Sequence, residues 1–338
     1  MKNLKRAALA AIWLIALCGC LLLADRAMRR DDGERKYANF FAEEQPFDVL
    51  FMGTSRVLDG VLPMELWRDY GFTSYNMGNN SENLETTKWV LDLAMDANKP
   101  KVALIDVYYV DRSVNDAWAF AYRHLFLDEI PLSRKKIECV KATLPESEWT
   151  EFLMPFSLYH GRWEEILSGK TEEQVSCRSF AFGAELRAQR ETPTISFVRT
   201  KEMNTAEMEG KDSLRKIAAL CRENGVEPVF MVIPAPISEQ EQMNVNSVQL
   251  VADELGVPFI NMLDVEGLVD FNNDCYDGLG HLNPDGASKV TAYLGQWLSE
   301  HFDFEDKRGD AAYAHWDKNL SEYEAYRETV WGDMTRLD

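Results

Sequence analysis

The chain has 338 residues, 46% of them hydrophobic, and a formal net charge of −20. A chain of this length and hydrophobic content can bury a large core, which argues against a disordered protein. Because a strongly negative surface repels phosphate groups, the charge excludes nucleic acid and anionic lipid as partners. The sequence therefore predicts one large domain with insertions, or two modest domains.

An apolar run of 18 residues extends from Ala7 to Ala24, with basic residues on both sides of it. This length is at the lower end for a membrane span and exceeds that of a usual cleavable signal sequence. Leu17-Cys18-Gly19-Cys20 also fits a lipoprotein cleavage box, although three leucines follow where a polar stretch is typical. We therefore predict an uncleaved signal anchor over residues 1–24, with lipidation as the alternative. Since both flanks are basic, their charges do not decide the orientation.

Short apolar runs of strand length alternate with helical patterns through much of the chain. The predicted strands lie at 48–52, 73–78, 102–108, 228–233 and 258–262. Predicted helices begin at Pro63 and Ser81 and extend over 211–224, 244–255 and 284–301. Such an alternation indicates right-handed crossovers and a parallel sheet. We predict a three-layer α/β/α fold of the flavodoxin type.

The alternation breaks between Asp111 and about Thr200, where aromatic and charged segments show no clear strand. We predict that residues 111–200 form a helical insertion over the carboxyl edge of the sheet. The other predicted boundaries are a juxtamembrane linker at 25–46, an α/β domain at 47–305 that contains the insertion, and a C-terminal tail at 306–338 packed on the domain.

Four cysteines follow the predicted anchor, namely Cys139, Cys177, Cys221 and Cys275. An even number permits two disulfides in an exported protein, and buried or free thiols are an equally weighted alternative. None of the four has the spacing of a CxxC or metal-binding motif, so we expect no zinc site. No metal or organic cofactor is expected.

Ser55 follows the first predicted strand, in the sequence Gly53-Thr54-Ser55-Arg56. Ligands of open α/β sheets bind in the crevice outside the carboxyl ends of the strands. A serine at this position is well placed to act as a nucleophile. The alternative is that Ser55 only caps the helix that follows.

A nucleophilic serine needs a base and a group that orients the base. Of the five histidines, His281 lies on a glycine-containing loop between the last predicted strand and the last core helix. Because loops at that edge converge on the same crevice, His281 is the candidate base for Ser55. Asp277 lies four residues before it and is the candidate orienting carboxylate.

Three blocks of the sequence together resemble the SGNH/GDSL hydrolase superfamily. They are Gly53-Thr54-Ser55, Asn76-Met77-Gly78 and Asp277…His281-Leu-Asn-Pro-Asp-Gly286. With Tyr159-His160-Gly161-Arg162-Trp163 and Tyr313-Ala314-His315-Trp316, the chain is similar to a membrane-anchored bacterial branch. That branch includes the D-alanine transfer protein of teichoic acid synthesis and the alginate O-acetylation proteins, which work alongside a membrane-bound O-acyltransferase.

The resemblance implies Ser55 as nucleophile, His281 as general base and then acid, and Asp277 as the orienting acid. Members of the family place this acid three residues before the histidine, whereas Asp277 lies four residues before it. Either the loop bulges by one residue or another group, such as Asp274, takes the role.

The resemblance also implies an oxyanion hole built from the backbone N–H groups of Ser55 and Gly78. The third block of the family supplies an asparagine to this hole, and here the third strand ends in Asp106-Val107-Tyr108 instead. Asn79 or Asn80 is the substitute that the sequence offers.

Four residues are candidates for substrate binding. Arg56 either steers an anionic substrate or forms a surface ion pair with Asp59, and we favour the ion pair. His160, Arg162 and Trp163 either line a sugar site or include a packed core histidine beside Trp163. The sequence does not decide between these two alternatives.

The predicted function is serine-dependent transfer or hydrolysis of an acyl group, expected to be acetyl, on a cell-envelope or exported polysaccharide. The resemblance implies an anchored, extracytoplasmic body and a membrane-bound O-acyltransferase as partner. The alternatives are a plain carbohydrate esterase and a non-catalytic scaffold that presents polysaccharide to the acyltransferase.

Overall fold

The computed structural model describes residues 2–28, 36–168 and 178–335. Its strands are β1 Val49–Met52, β2 Ser74–Asn76, β3 Val102–Asp106, β4 Glu227–Val232 and β5 Phe259–Asn261. The helices of the first half are α1 Lys2–Met28, α2 Lys36–Ala42, α3 Ser55–Gly60, α4 Pro63–Tyr70, α5 Leu84–Ala97, α6 His124–Leu127, α7 Arg134–Thr143, α8 Trp149–Leu153, α9 Phe156–Tyr159 and α10 Trp163–Ser168. Those of the second half are α11 Glu209–Glu223, α12 Glu239–Asn246, α13 Val248–Leu255, α14 Pro284–His301 and α15 Ala314–Thr335.

The five strands form one parallel sheet in the order β2-β1-β3-β4-β5. In the register of the sheet, Leu50 pairs with Tyr75 on one side and with Ala103 on the other. All four residues of β1 are buried, as expected for a strand covered on both faces. This order is that of flavodoxin-like sheets, so the predicted α/β fold is confirmed.

Two helices begin at other residues than predicted. The prediction that a helix opens at Ser81 is wrong, because Asn83 is the N-cap of α5 and accepts from the backbone N–H of Thr86. Ser81 lies in the left-handed region, with φ at 55°. The helix predicted over 244–255 ends at Leu255 as predicted, but it is divided into α12, which begins earlier after a capping box on Ser238, and α13.

The insertion between β3 and α11 is only partly helical. Short helices continue as far as Ser168, whereas residues 178–208 contain a single turn of 3-10 helix at Ser179–Ala181. We call residues 178–208 the return segment. Within the described part of the chain, the predicted helical insertion up to residue 200 is therefore corrected to one that ends at residue 168.

Both ends of the chain outside the sheet pack against the domain. Tyr37 and Phe40 of α2 are buried, although most of α1 is exposed. At the other end, Trp316 and Tyr323 of α15 are fully buried.

One described helix, Asn3–Asp25 within α1, is long and apolar enough to cross a membrane. The thiols of Cys139, Cys221 and Cys275 are buried and free. Cys177, which the sequence offered as a disulfide partner, lies outside the described residues. The buried and free alternative therefore holds for the three cysteines of the body that the structure describes.

Candidate active site

A strand, a tight turn and a helix present Ser55 at the carboxyl edge of the sheet. After β1, Gly53 has φ at 145°, and a Cβ on it would lie 2.5 Å from the Cβ of Asp106. Thr54 is the N-cap of α3 and accepts from the backbone N–H of Arg56. Its hydroxyl also donates to Asp106 Oδ2 over 2.9 Å. Ser55 is thus held as the first residue of α3, and Thr54, not Ser55, is the helix cap.

The structure brings Ser55, His281 and Asp277 into one hydrogen-bonded chain. Ser55 Oγ lies 2.8 Å from His281 Nε2. His281 Nδ1 lies 2.7 Å from Asp277 Oδ2, and Asp277 Oδ1 accepts from the backbone N–H of His281. This is the arrangement in which a histidine takes a proton from serine while a carboxylate orients the ring.

The four-residue spacing of the acid is accommodated by a turn. The backbone N–H of Gly280 donates to the carbonyl of Asp277, and Gly280 has φ at 77°. Asp277 Oδ1 also accepts from the backbone N–H of Leu279. The alternative acid, Asp274, is wrong because its carboxylate pairs with Lys289 at 2.7 Å.

Burial and neighbouring charges favour a neutral His281. Burial lowers the pKa of His281 below 6.5, the hydrogen bond that His281 donates to Asp277 opposes this, and the charge of Arg56 adds to the lowering. Burial raises the pKa of Asp277, but its hydrogen bonds with His281 outweigh burial and leave that pKa below the usual value. A neutral imidazole beside an ionised carboxylate can accept the serine proton near pH 7.

The predicted oxyanion hole is only partly available. The N–H of Ser55 lies in the first turn of α3 and has no hydrogen-bond partner among the described residues. In contrast, the N–H of Gly78 donates to Asn76 Oδ1 over 2.9 Å. The prediction that the Gly78 N–H is open to an oxyanion is therefore wrong for this structure.

Asn79 and Asn80 remain as sources of a second donor. The backbone N–H of Asn79 donates to the carbonyl of Gly53, which places Asn79 beside the turn that carries Ser55. The backbone N–H of Asn80 donates to Asn79 Oδ1. Both backbone N–H groups are thus occupied, so only the side-chain amides of Asn79 and Asn80 can serve an oxyanion.

Asn76 is a supporting residue whose role the sequence did not reveal. It is fully buried, and its Nδ2 donates to the carbonyls of Val57 and Val61 over 2.7 and 2.8 Å. The Val57 carbonyl also accepts from the backbone N–H of Val61, which is the C-cap residue of α3, so Asn76 joins α3 to its C-cap. Asn76 therefore fixes the helix that begins with Ser55 and, through its Oδ1, occupies Gly78.

A second supporting chain lies behind His281. The ring of Tyr276 stacks on that of His281, with centroids 5.6 Å apart. The hydroxyl of Tyr276 donates to Asp59 Oδ2 over 2.9 Å. Burial, and then the charge of Glu185, raises the pKa of Asp59 well above its usual value. No sequence pattern indicates this pair, because Tyr276 and Asp59 are far apart in the chain.

Arg56 is buried and does not form the surface ion pair that we favoured. Its Nη2 donates to the carbonyl of Leu279 over 2.7 Å, and its guanidinium lies 5.1 Å from the ring centroid of Tyr108. The interpretation as a surface pair with Asp59 is therefore wrong. Arg56 connects the serine turn to the loop that carries His281.

The other substrate-binding candidates lie near α1. Arg162 Nη1 donates to the carbonyl of Met28, the last residue of that helix. His160 and Trp163 are both exposed, so the alternative of a packed core histidine is wrong. None of the hydrogen bonds described for these three residues reaches Ser55 or His281.

A strip of aromatic side chains leads away from the serine turn. Tyr108 contacts Arg56, and its ring centroid lies 5.0 Å from that of Tyr109. The Tyr109 ring is in turn 6.4 Å from Trp118, whose side chain is 50% exposed. We call Tyr108, Tyr109 and Trp118 the aromatic strip. Within the described residues, no group of three or more His, Cys, Asp or Glu side chains could hold a metal ion.

No protein-family model matches the chain, and no curated protein matches it. A solved GDSL-like lipase from Bacteroides thetaiotaomicron VPI-5482 is 10% identical with a TM-score of 0.40, covering 80% of this chain and 98% of its own. A protein from Streptococcus pneumonia, provisionally described as a platelet activating factor, is 13% identical with a TM-score of 0.34, covering 85% and 99%. The function is therefore argued from the geometry of the site.

Proposed function

We propose that the chain is a serine-dependent acyl hydrolase or acyltransferase. The observation that carries this proposal is the continuous hydrogen-bonded chain from Ser55 through His281 to Asp277. In the reaction, Ser55 Oγ attacks the carbonyl carbon of an acyl ester while its proton moves to His281 Nε2. His281 then donates that proton to the departing alcohol, and the acyl group is left as an ester on Ser55.

The acyl-serine is then cleaved by an acceptor. His281 takes a proton from water or from a sugar hydroxyl as that oxygen attacks the ester carbonyl, and it then returns the proton to Ser55 Oγ when the bond from the acyl carbon to Ser55 breaks. Water gives hydrolysis, whereas a sugar hydroxyl gives transfer. The same three residues serve both outcomes, so the choice depends on what binds beside Ser55.

The proposed acceptor is a cell-envelope or exported polysaccharide, with acetyl as the acyl group. The aromatic strip supports a carbohydrate because aromatic rings can stack on sugar faces, and the strip runs from the half-buried Tyr108 and Tyr109 to the exposed Trp118. The apolar helix α1 supports a body anchored to a membrane. The extracytoplasmic location of this body and the membrane-bound O-acyltransferase as a partner rest on the motif resemblance.

The non-catalytic scaffold remains a second candidate because of one specific observation. The N–H of Gly78 is occupied by Asn76, so the described residues offer one open backbone donor, that of Ser55, to an oxyanion. Loss of one such donor typically costs about 10²–10³ in rate. An isolated chain is therefore expected to turn over slowly even if the catalytic proposal is right.

The test is covalent labelling of the full chain in detergent with a fluorophosphonate probe, read by intact mass. We expect one adduct that maps to Ser55 and is absent from Ser55→Ala and His281→Ala. Ser299→Ala, which removes a serine of α14 far from the triad in sequence, is the matched control and is expected to label like the wild type. Absence of any adduct on folded protein would favour the scaffold.

Transfer and hydrolysis are distinguished by a second measurement. The chain is given 4-nitrophenyl acetate with and without a polysaccharide acceptor, and the acetate and acetylated sugar are quantified. A transferase diverts acetyl to sugar as the acceptor concentration rises, whereas a plain esterase releases acetate alone. Trp118→Ala is expected to reduce the diversion while leaving release of 4-nitrophenol within about twofold of wild type.

A further inference from the structure

Four exposed apolar side chains lie close together in the sequence between α8 and the end of α10. Met154 is 58% exposed, Leu158 45%, Trp163 49% and Leu167 79%. We call these four residues the apolar patch. Large apolar side chains exposed singly are common, but several within one short segment indicate an interaction surface.

The same segment holds the last turn of α1. From Asn3 to Cys18 every residue of α1 is exposed, whereas Asp25 is buried and Ala24 is half-buried. Among the described residues, α1 packs mainly against α9 and residues 160–162, and Arg162 donates to the carbonyl of Met28 over 2.8 Å. The end of the apolar helix therefore meets the segment that carries the apolar patch.

The length of the last turn places this contact close to the membrane. The apolar run ends at Ala24, and Met28 lies four residues further along a continuous helix. At 1.5 Å per residue this is about 6 Å. The polar layer on each side of a bilayer is about 5–8 Å thick. When α1 spans a bilayer, Met28 and Arg162 therefore lie at the level of the lipid headgroups.

We propose that the apolar patch rests on the lipid surface around α1 and orients the body on the membrane. This inference rests on the membrane anchor of the proposed function, but not on the catalytic proposal. A tryptophan next to an arginine suits this depth, because indole rings and arginine side chains both have an apolar body and a polar end.

The contact is apolar rather than electrostatic. The formal net charge of −20 opposes attraction to anionic headgroups. Burial of the patch side chains in the interface is favourable because it removes apolar surface from water. Zwitterionic lipid is therefore sufficient, and binding of the patch is expected to be insensitive to salt.

The test uses the full chain, reconstituted in phosphatidylcholine nanodiscs, with single cysteines that carry an environment-sensitive fluorophore. The exposed Cys18 and Cys20 and the undescribed Cys177 are first changed to serine. Labels are then placed at Leu158→Cys and Leu167→Cys in the patch. Leu250→Cys on α13 is the matched control, because Leu250 is 45% exposed, as Leu158 is. In a separate sample Cys20 is kept as the labelled cysteine while Cys18 and Cys177 are serine, and this label reports the insertion of α1.

Doxyl groups on the lipid chains near the headgroup are the quencher. We expect quenching at Cys20, Leu158→Cys and Leu167→Cys that is at least threefold stronger than at Leu250→Cys, with no loss at high salt. If Cys20 is quenched but the patch labels are quenched no more than the label at Leu250→Cys, the proposed orientation is wrong while the membrane anchor stands.

Two further outcomes would also overturn the proposal. Absence of quenching at Cys20 would remove the anchor itself and with it the reason for the patch. A blue shift at Leu158→Cys without doxyl quenching, seen only when native membranes replace pure lipid, would assign the patch to a membrane protein instead of lipid. The fluorophosphonate result is independent of each of these readings.

Discussion

At the scale of single residues, the triad is set by a small number of contacts to the backbone. Asp277 receives two backbone N–H groups as well as the imidazole, so its carboxylate is held in place before any substrate binds. The Tyr276 ring stacks on one face of the His281 imidazole and helps to hold it in place. Preorganisation of this kind keeps the base in reach of Ser55 at little entropic cost.

Asp277→Asn is expected to lower kcat for 4-nitrophenyl acetate by about 10²–10⁴. The amide cannot stabilise an imidazolium, and it can hold the ring in the wrong tautomer. Asp274→Asn in the same loop is the control, because Asp274 pairs with Lys289 and does not touch His281. Steady-state kinetics of both variants, with thermal unfolding as a check of folding, measure the difference. Equal losses in the two variants would contradict the assigned acid.

The charge of Arg56 is expected to set part of the pH dependence. Burial and then Arg56 lower the pKa of His281, with Asp277 opposing them, so the acid limb of kcat/KM is expected to lie below pH 6.5. Removing the positive charge makes protonation of the ring easier. Arg56→Gln is therefore expected to shift the acid limb upward.

Arg112→Gln is the control for this shift. The guanidinium of Arg112 lies 5.4 Å from the ring centroid of Tyr109, and it is not among the groups that act on the pKa of His281. Its acid limb is expected to coincide with that of the wild type. A downward shift in Arg56→Gln, measured from pH 4.5 to 9, would contradict the electrostatic argument.

At the scale of elements, the segment between β2 and α5 carries an unusual buried acid. Glu82 is 4% exposed, and burial raises its pKa to about 8, against opposing effects from Thr87, Lys36 and Arg123. Its Oε1 accepts from the hydroxyl of Thr87, while Oε2 has no hydrogen-bond partner in the described part of the chain. A protonated Glu82 is therefore the form that the fold favours.

As the pH rises from about 4.5 to about 8, the free energy of unfolding is expected to fall because of Glu82. The folded-state pKa of about 8 lies above the ordinary glutamate value of 4.5, so the folded chain keeps a proton that the unfolded chain loses in this range. Glu82→Gln removes this proton exchange and is expected to raise the free energy of unfolding at pH 8.5 by roughly 2–4 kcal/mol.

Urea unfolding of the full chain in detergent at pH 5 and pH 8.5 measures this effect. At pH 5 the variant and the wild type are expected to differ little, because Glu82 is protonated in the fold at that pH. Glu85→Gln on α5 is the control for the loss of a carboxylate in the same segment. An equal gain at both pH values would show that the effect is not one of proton linkage.

The strands could be predicted from the sequence because burial on both faces leaves short apolar runs with clear ends. The convergence of Ser55, His281 and Asp277 could be predicted because loops at one edge of a parallel sheet must converge. What could not be predicted depends on side-chain choices across the fold. The occupied N–H of Gly78 follows from the rotamer of Asn76, and the start of α5 follows from a choice between Ser81 and Asn83, which both suit a cap.

The structure of the return segment also could not be predicted from the sequence. Its backbone bonds join distant parts of the chain, since Glu191 donates to the carbonyl of Cys275 and Thr194 to that of Gly278. Such bonds leave no periodic pattern in the local sequence. The segment therefore read as part of a helical insertion, although it supports the loop that carries the triad acid.

At the scale of the whole molecule, the tail helix α15 packs against α4 and the return segment. The indole of Trp316 stacks on Phe182 of the return segment at 3.8 Å between centroids, and it contacts Trp67 of α4 at 5.2 Å. The carbonyl of Phe182 in turn accepts from the backbone N–H of Asn76, at the end of β2. One tail residue thus supports the residue that fixes α3 and the serine turn.

Trp316→Ala is expected to lower the free energy of unfolding by about 3–5 kcal/mol, the usual cost of truncating a fully buried tryptophan. Trp331→Ala on the same helix is the control, since Trp331 is half-buried and its indole N–H donates to Asp285. A loss of about 1–2 kcal/mol is expected there. Because Phe182 holds Asn76, labelling of Ser55 by fluorophosphonate is also expected to slow in Trp316→Ala at temperatures where the chain stays folded. Unchanged labelling despite the lost stability would show that the tail stabilises the fold without acting on the serine turn.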